Sequence, residues 1–333
     1  MNADADDVPR VRRADGPVVA DVHVPPSKSI VNRALICAAL ADGPSEIRGV
    51  APGDDTAAMI GGLQQLGCGI GIRAENDDRI ADVIGTAALL APGPMTLHAG
   101  LAGTTSRFVT ALATLGTGEY TIDGDPPLRA RPMGPLHDSL SALGASVEPA
   151  ETAGHLPVTV AGPQRRADAV VRPGDGSSQY VTAMMLIAPY VPGGLKLWLS
   201  SGLVSRPYLE MTKAVMDAFG HGGVELRDRH VIVEPGEYFA TEFLDEPDAS
   251  SASYPLAAAA MVGGAVSVRG LGSASLQGDA RFVDILASMG CIVTQGSHDT
   301  VVMRRRDTPL RGVEVDMADV SDLVPTLAVV ATQ

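Results

Sequence analysis

Aromatic residues make up only 4% of this 333-residue chain, too few for the stacking platform that single-stranded nucleic acid needs. Lysine is almost missing: Lys28, Lys196 and Lys213 are the only three, and arginine supplies the rest of the 25 basic residues. Against 39 acidic residues this leaves a net charge of -14. That balance argues against nucleic acid or an anionic membrane as a partner, but leaves room for small anions in a locally positive cleft. Cysteine occurs three times, at Cys37, Cys68 and Cys291, widely spaced and never as CxxC. Buried small side chains are the expected reading. No uninterrupted apolar run approaches the roughly 18 to 20 residues that span a bilayer. Met1 to Pro17 is charged, without the apolar stretch of a signal peptide. A reduced cytoplasm is the expected compartment. Neither GxxxxGKS/T nor GxSxG occurs, and the seven histidines lack metal spacing. No metal or organic cofactor is expected.

What the chain does have is apolar content, at 45%, with abundant Ala and Gly. Length and composition suit two domains of helices packed closely on sheets, an α/β (α+β) fold. Four segments share a pattern of amphipathic helix, Gly and short strand, starting at Asp54, Arg131, Arg206 and Asp279. Each helix stops at a Gly able to take the left-handed conformation: Gly67, Gly144, Gly220 and Gly290, spaced by 77, 76 and 70 residues. A second type of helix alternates with these, opening on small hydroxyl or acidic residues and continuing as a smooth apolar run. It starts near Ser27, Gly103, Ser177, Ser250 and Val320. Such helices should be buried and N-capped by their Ser, Thr or Asp. The repeat reads as buried helix, strand pair, amphipathic helix and strand. A fifth copy has only its first helix at Gln333, so the sequence reads as one cut within a unit.

The chemistry concentrates at the starts of the buried helices. Lys28, Ser29 and Arg33 stand at the first, where free N–H groups and partial positive charge favour anions. Gly100 and Gly103 let backbone approach a ligand at the second, followed by Thr104, Thr105 and Arg107. Ser177, Ser178 and Gln179 supply neutral donors and acceptors at the third. Arg129 and Arg131 enter an amphipathic helix, and Arg131 suits bidentate binding of carboxylate or phosphate. Ser205, Arg206 and Tyr208 precede another. Asp316, Asp319 and Asp322 cluster near the end, with Asp322 placed to cap the fifth buried helix or to act as a general base. Three helix starts carrying polar or cationic groups suggest one polyanionic ligand.

The strings PSKSIVNRA, AGTTSRF, DPPLRARPM, SSQYVTAMM, SRPYLEMT, DASSASYPLAAAA, LQGDARFVDIL and DMADVSDLVPTLAV, in this order, closely resemble the 5-enolpyruvylshikimate-3-phosphate synthase family. The resemblance implies two domains built of repeated βαβαββ units with the active site between them. Here that gives a three-unit domain over 21–245 and an incomplete second domain from 1–20 plus 246–333. It implies that phosphoenolpyruvate donates its enolpyruvyl group to the 5-hydroxyl of shikimate 3-phosphate, by addition and then loss of phosphate with C–O cleavage. By the same resemblance, Lys28, Ser29, Arg33, Ser177, Ser178, Gln179, Ser205, Tyr208 and Asp322 would hold shikimate 3-phosphate. Lys28, Gly103, Arg131 and Gln179 would face phosphoenolpyruvate. Asp322 and Lys28 would be catalytic, with Asp322 accepting the hydroxyl proton. The family is cytoplasmic, serves aromatic amino acid biosynthesis, and would be monomeric when complete.

Two departures qualify the resemblance. Leu101 stands where the family usually has Asn before Ala-Gly-Thr. The family also continues for about another repeat and a half, with further Asn, Lys, Glu and Arg ligands, so this chain alone is expected to bind weakly and turn over essentially nothing. Apolar surface is expected on Val324, Leu327, Val329 and Val330. The alternative readings are a non-catalytic remnant binding shikimate 3-phosphate, and an enolpyruvyl transferase for a UDP-amino sugar. The latter typically has Lys-Asn in place of Lys28-Ser29 and a loop Cys that Ala99 to Arg131 lacks.

Overall fold

The computed structural model describes residues 14–76, 78–164, 168–171, 178–200 and 205–333. The chain opens with strand β1 (Val18–Val22) and helix α1 (Lys28–Leu40). Next come β2 (Pro44–Arg48), α2 (Asp54–Gln65) and the hairpin of β3 (Gly69–Glu75) and β4 (Asp78–Ile84). The second set is β5 (Met95–His98), α3 (Gly103–Ala113), β6 (Glu119–Asp123), the one-turn α4 (Pro126–Arg129), α5 (Gly134–Ala142), β7 (Ser146–Pro149) and β8 (Val158–Ala161). The third is β9 (Asp168–Val171), α6 (Gln179–Ile187), β10 (Leu195–Leu199), α7 (Arg206–Ala218), β11 (Val224–Arg227) and β12 (His230–Val233). A short β13 (Glu242–Leu244) leads to α8 (Ala249–Val262) and β14 (Gly264–Arg269). The chain closes with α9 (Phe282–Ser288), β15 (Ile292–Gln295), β16 (Asp299–Arg304) and α10 (Val324–Val330).

Among the described residues the strands form four sheets of four, in the orders β13-β2-β4-β3, β5-β6-β8-β7, β9-β10-β12-β11 and β1-β14-β16-β15. In each sheet the first pair is parallel and the rest antiparallel. The unit is therefore strand, buried helix, strand, amphipathic helix, two strands. This corrects the order read from helix spacing: one strand follows the buried helix, and the pair follows the amphipathic helix as a hairpin. The β3–β4 hairpin turns at Asn76, which takes φ 50°. The four glycines that end the amphipathic helices do have positive φ, from 83° to 104°.

Two of the sheets borrow a strand from far along the chain. β13 completes the sheet of β2, while β1 runs alongside β14. Consequently β1, ending at Val22, lies in the fourth sheet, and the chain crosses between two bodies twice. The crossings lie side by side: the Ser27 amide donates to the Glu246 carbonyl at 2.9 Å and the Asp248 amide to the Pro25 carbonyl at 2.8 Å.

Two separate apolar cores follow from this path. The first gathers α1, α3 and α6 inside three sheets. From Ile30 to Leu40 every residue of α1 is buried, as its all-round apolar sequence demands. Each fully buried Leu or Ile there contributes about 1.5–3 kcal/mol. By contrast α7 buries only one face, with Leu209, Met211, Thr212, Val215 and Met216. The second core is α8, α9 and α10 on a single sheet. In it Val330 is buried, Leu327 packs against the core, and Val324 and Val329 are exposed. The expected exposure thus fails at Val330, because α10 turns that face onto α8. All three cysteines are buried.

Capping also differs from the sequence reading. Among α1, α3, α6, α8 and α10, only α8 has a side-chain cap, with Asp248 accepting from the Ser251 amide. Asp322 does not cap α10; it sits in the 3-10 turn Ala318–Leu323 that precedes it. At the start of α3 the Thr105 hydroxyl donates to the Asp55 carbonyl instead, and at the start of α1 the Ser27 hydroxyl is buried with no hydrogen-bond partner among the described residues.

Candidate functional site

The starts of α1, α3 and α6 meet in one cleft of about 530 Å3. It is lined by Lys28, Ser29 and Arg33 from α1, Gly103, Thr104 and Arg107 from α3, and Ser178 and Gln179 at α6. Arg131, Ser205, Tyr208 and Asp322 also line it, as do Asp55, Leu101 and Ser321. Every residue that the resemblance assigned to a substrate is therefore in this one place except Ser177, which lies outside the described residues; Gly100, Thr105 and Arg206, read from the helix starts, do not line it. Asp316 and Asp319 line a separate hollow beside Arg281, and Arg129 is committed to Asp123 at 2.7 Å.

The burial of Arg33 is the unusual feature. Its side chain is 2% exposed, with Nε donating to Thr212 Oγ1 at 2.9 Å and Nη1 to the Ser29 carbonyl at 2.6 Å. The guanidinium lies between the Phe108 and Tyr208 rings, 5.6 and 5.9 Å from their centroids. Burial pulls it down to about 10, so it keeps its charge at neutral pH. Arg107 is similarly enclosed, with Nη1 donating to the Gly103 carbonyl at 3.0 Å and to Gln179 Oε1 at 2.7 Å. Among the described residues, neither Arg33, Arg107 nor Arg131 forms an ion pair. A buried cation without a counter-charge is costly, so Arg33 and Arg107, with the exposed Arg131 at the same cleft, point to an anion as the missing partner.

Lys28 behaves differently, resting on Asp55 Oδ2 at 3.0 Å. Asp55 also accepts, through its carbonyl, from Thr105 Oγ1 at 3.1 Å. It was invisible in the sequence because Asp54 and Asp55 read simply as acids at a helix start. Gly103 is required by close approach. A Cβ there would stand 2.8 Å from Arg107 Nη1 and 2.9 Å from Arg131 Nη1. Ser205 takes the left-handed conformation, φ 51° and ψ 54°, so its buried hydroxyl is placed at a backbone cost.

Across the cleft, Tyr208 Oη donates to Asp322 Oδ2 at 2.7 Å, joining α7 to the second core. Burial, then the nearby Asp279 and Asp322 carboxylates, push the Tyr208 hydroxyl up. It is thus a donor, not an acid, at neutral pH. Behind it Asp279, 5% exposed, accepts from Ser250 Oγ at 2.5 Å. Burial first, then Asp322 and Asp248, raise its carboxyl to about 6. Four cationic side chains and three helix starts thus face two cleft carboxylates, Asp55 and Asp322. An acidic protein has here a positive cleft with one carboxylate set opposite.

A family model described as EPSP synthase (3-phosphoshikimate 1-carboxyvinyltransferase) matches residues 13–333. The chain is 38% identical over 318 residues to a 3-phosphoshikimate 1-carboxyvinyltransferase of Shewanella piezotolerans, covering 93% of this chain and 72% of the relative. It is 38% identical over 316 residues to one from a Nostoc species, covering 95% and 73%. Among solved structures, EPSP synthase from Acinetobacter baumannii superposes with a TM-score of 0.77 at 21% identity, over 94% of this chain and 71% of that one. The enolpyruvyl transferase NikO from Streptomyces tendae gives 0.67 at 17% identity, over 95% and 73%. These two bear on the fold.

Proposed function

The chain belongs to the EPSP synthase family, and on that premise we propose how its cleft divides between two substrates. The family's reaction is transfer of the enolpyruvyl group of phosphoenolpyruvate to shikimate 3-phosphate in the shikimate pathway, which makes this chain a transferase. Shikimate 3-phosphate lies against Lys28, Ser29 and Arg33 on one side and Ser177, Ser178, Gln179, Ser205 and Tyr208 on the other. Phosphoenolpyruvate lies beside Lys28, Gly103, Arg131 and Gln179. Asp322 takes the proton of the attacking 5-hydroxyl. Tyr208 occupies one of its oxygens, which leaves the other to accept.

The 5-hydroxyl oxygen bonds to C2 of phosphoenolpyruvate as Asp322 takes its proton, and the C2–C3 double bond opens as the Lys28 ammonium gives C3 a proton, leaving a tetrahedral adduct. Return of a C3 proton to Lys28 and cleavage of the bond from C2 to the phosphate oxygen then release phosphate and the enolpyruvyl ether. Fixed positive charge around the phosphate and carboxylate lowers the barrier to both halves, and holding two substrates in one cleft removes the entropic cost of their encounter.

The observation that carries this reading is Arg33, a buried guanidinium with no carboxylate beside it, facing the same cleft as Arg107 and Arg131. The acidic surface and the absence of any helix long and apolar enough to cross a membrane among the described residues favour small anions over nucleic acid or lipid. A cytoplasmic location and a monomeric state belong to the same proposal, carried over from the family.

Lys28 gives the test. Charge-assisted contacts in a partly desolvated cleft are worth roughly 1.5–3 kcal/mol. Lys28→Ala should therefore weaken shikimate 3-phosphate binding, measured by calorimetry, by about tenfold or more. Lys196→Ala and Lys213→Ala should change it less than about twofold. Equal effects from the three would remove the assignment.

A further inference from the structure

The proposed roles leave Arg107 without one, although it is among the most constrained side chains of the cleft. It sits one turn into α3, 8% exposed, with its guanidinium 5.3 Å from the Tyr180 ring centroid. Nη1 is shared between the Gly103 carbonyl in its own helix and Gln179 Oε1 at the start of α6. Nε is buried with no hydrogen-bond partner among the described residues. Tyr180, the residue after Gln179, donates in turn to the Pro132 carbonyl at 2.7 Å, next to Arg131. One guanidinium thereby sits at the junction of three segments that line the cleft.

An amide side chain has an accepting end and a donating end, and which one faces a ligand decides whether it attracts or repels an anion. Arg107 has only donors. By taking Gln179 Oε1 at 2.7 Å, it fixes the oxygen toward α3 and turns the NH2 end away from itself. We propose that Arg107 is a positioning residue that sets the amide of Gln179 so that the cleft meets the ligand's phosphate with N–H donors. The charge on Arg107 makes the opposite amide orientation repulsive, since it would set donor against donor. Gly103 has no side chain to push Arg107 off this contact. This inference rests on the assignment of the cleft to shikimate 3-phosphate.

The experiment compares shikimate 3-phosphate with shikimate, which lacks the phosphate, by calorimetry on the whole chain. Arg107→Met should weaken shikimate 3-phosphate about tenfold and shikimate less than about twofold. Gln179→Ala should do the same, and the double variant should be no worse than Gln179→Ala alone, because Arg107 acts through Gln179. Gln179→Glu is the decisive variant where Arg107→Met folds poorly. It gives Arg107 a carboxylate partner, so melting temperature should hold or rise. It also replaces the donor end with an acceptor, so shikimate 3-phosphate binding should fall about a hundredfold. Additive losses in the double variant, equal losses for both ligands, or Gln179→Glu binding as tightly as the parent would each overturn the proposal. Failure of the parent to bind shikimate 3-phosphate would overturn the functional reading itself.

Discussion

Ser205 separates what a side chain does from what its backbone costs. Holding an L-residue in the left-handed region costs about 1–2 kcal/mol, and Ser205 does so where its hydroxyl lines the cleft. Two truncations should therefore rank in an unusual order. Ser205→Ala removes the hydroxyl but keeps the strained conformation, whereas Ser205→Gly removes both. Thermal unfolding should show Ser205→Gly the more stable of the pair by about 1 kcal/mol, with equal loss of shikimate 3-phosphate affinity. A more stable Ala variant would mean that the left-handed placement is wrong. The residues that line the cleft were largely visible in the sequence, because helix starts and the resemblance both drew attention to the same positions. Arg33 was found that way, but its burial was not. It depends on Thr212 and Tyr208, which arrive from α7 some 180 residues later. Asp55 and the Arg107–Gln179 contact were missed for the same reason: only tertiary packing creates them.

At the level of elements, α5 carries a titrating group that the sequence read as one residue of an amphipathic run. His137 is 5% exposed with Nε2 lacking a partner, and burial lowers it to about 4. Its unfolded value near 6.5 lies above that, so the unfolded chain binds the extra proton between the two. Its contribution is complete above about pH 6.5 and is lost as pH falls toward 4, on the order of 3 kcal/mol in all. Asp279, raised to about 6, acts in the opposite sense over part of that range. The effect must therefore be read as a difference between two proteins. Denaturant unfolding of His137→Leu and the parent should diverge steadily from pH 6.5 to 4.5, with the variant losing less stability. Parallel curves would contradict this. Helix types and their Gly stops were legible because each of these helices, from seven to fourteen residues long, keeps a clear period up to its end. The order of strands was not, since β13 is three residues long and its pairing to β2 is set by a partner nearly two hundred residues away.

For the whole molecule, the two cores touch at few points near the cleft, chiefly Tyr208 on Asp322 and Pro207 on Gly278. A Cβ on Gly278 would lie 2.6 Å from Pro207 Cβ, so Gly278→Val should wedge this edge apart. Small-angle scattering should report a larger radius of gyration, with the melting of the first core unchanged. An unchanged radius would show that the bodies are held elsewhere. The exchange of edge strands has a further consequence, for how the polypeptide is made. β1 leaves the ribosome before its partner β14, which follows about 240 residues later. At roughly 5–20 residues per second, β1 waits on the order of tens of seconds with its pairing groups open. Meanwhile the sheets of the first core assemble between the two halves of the second. The newborn chain thus carries an unpaired strand until β14 is made. Trigger-type chaperones that bind extended apolar segments would find it there, and a stall before residue 264 would leave it exposed.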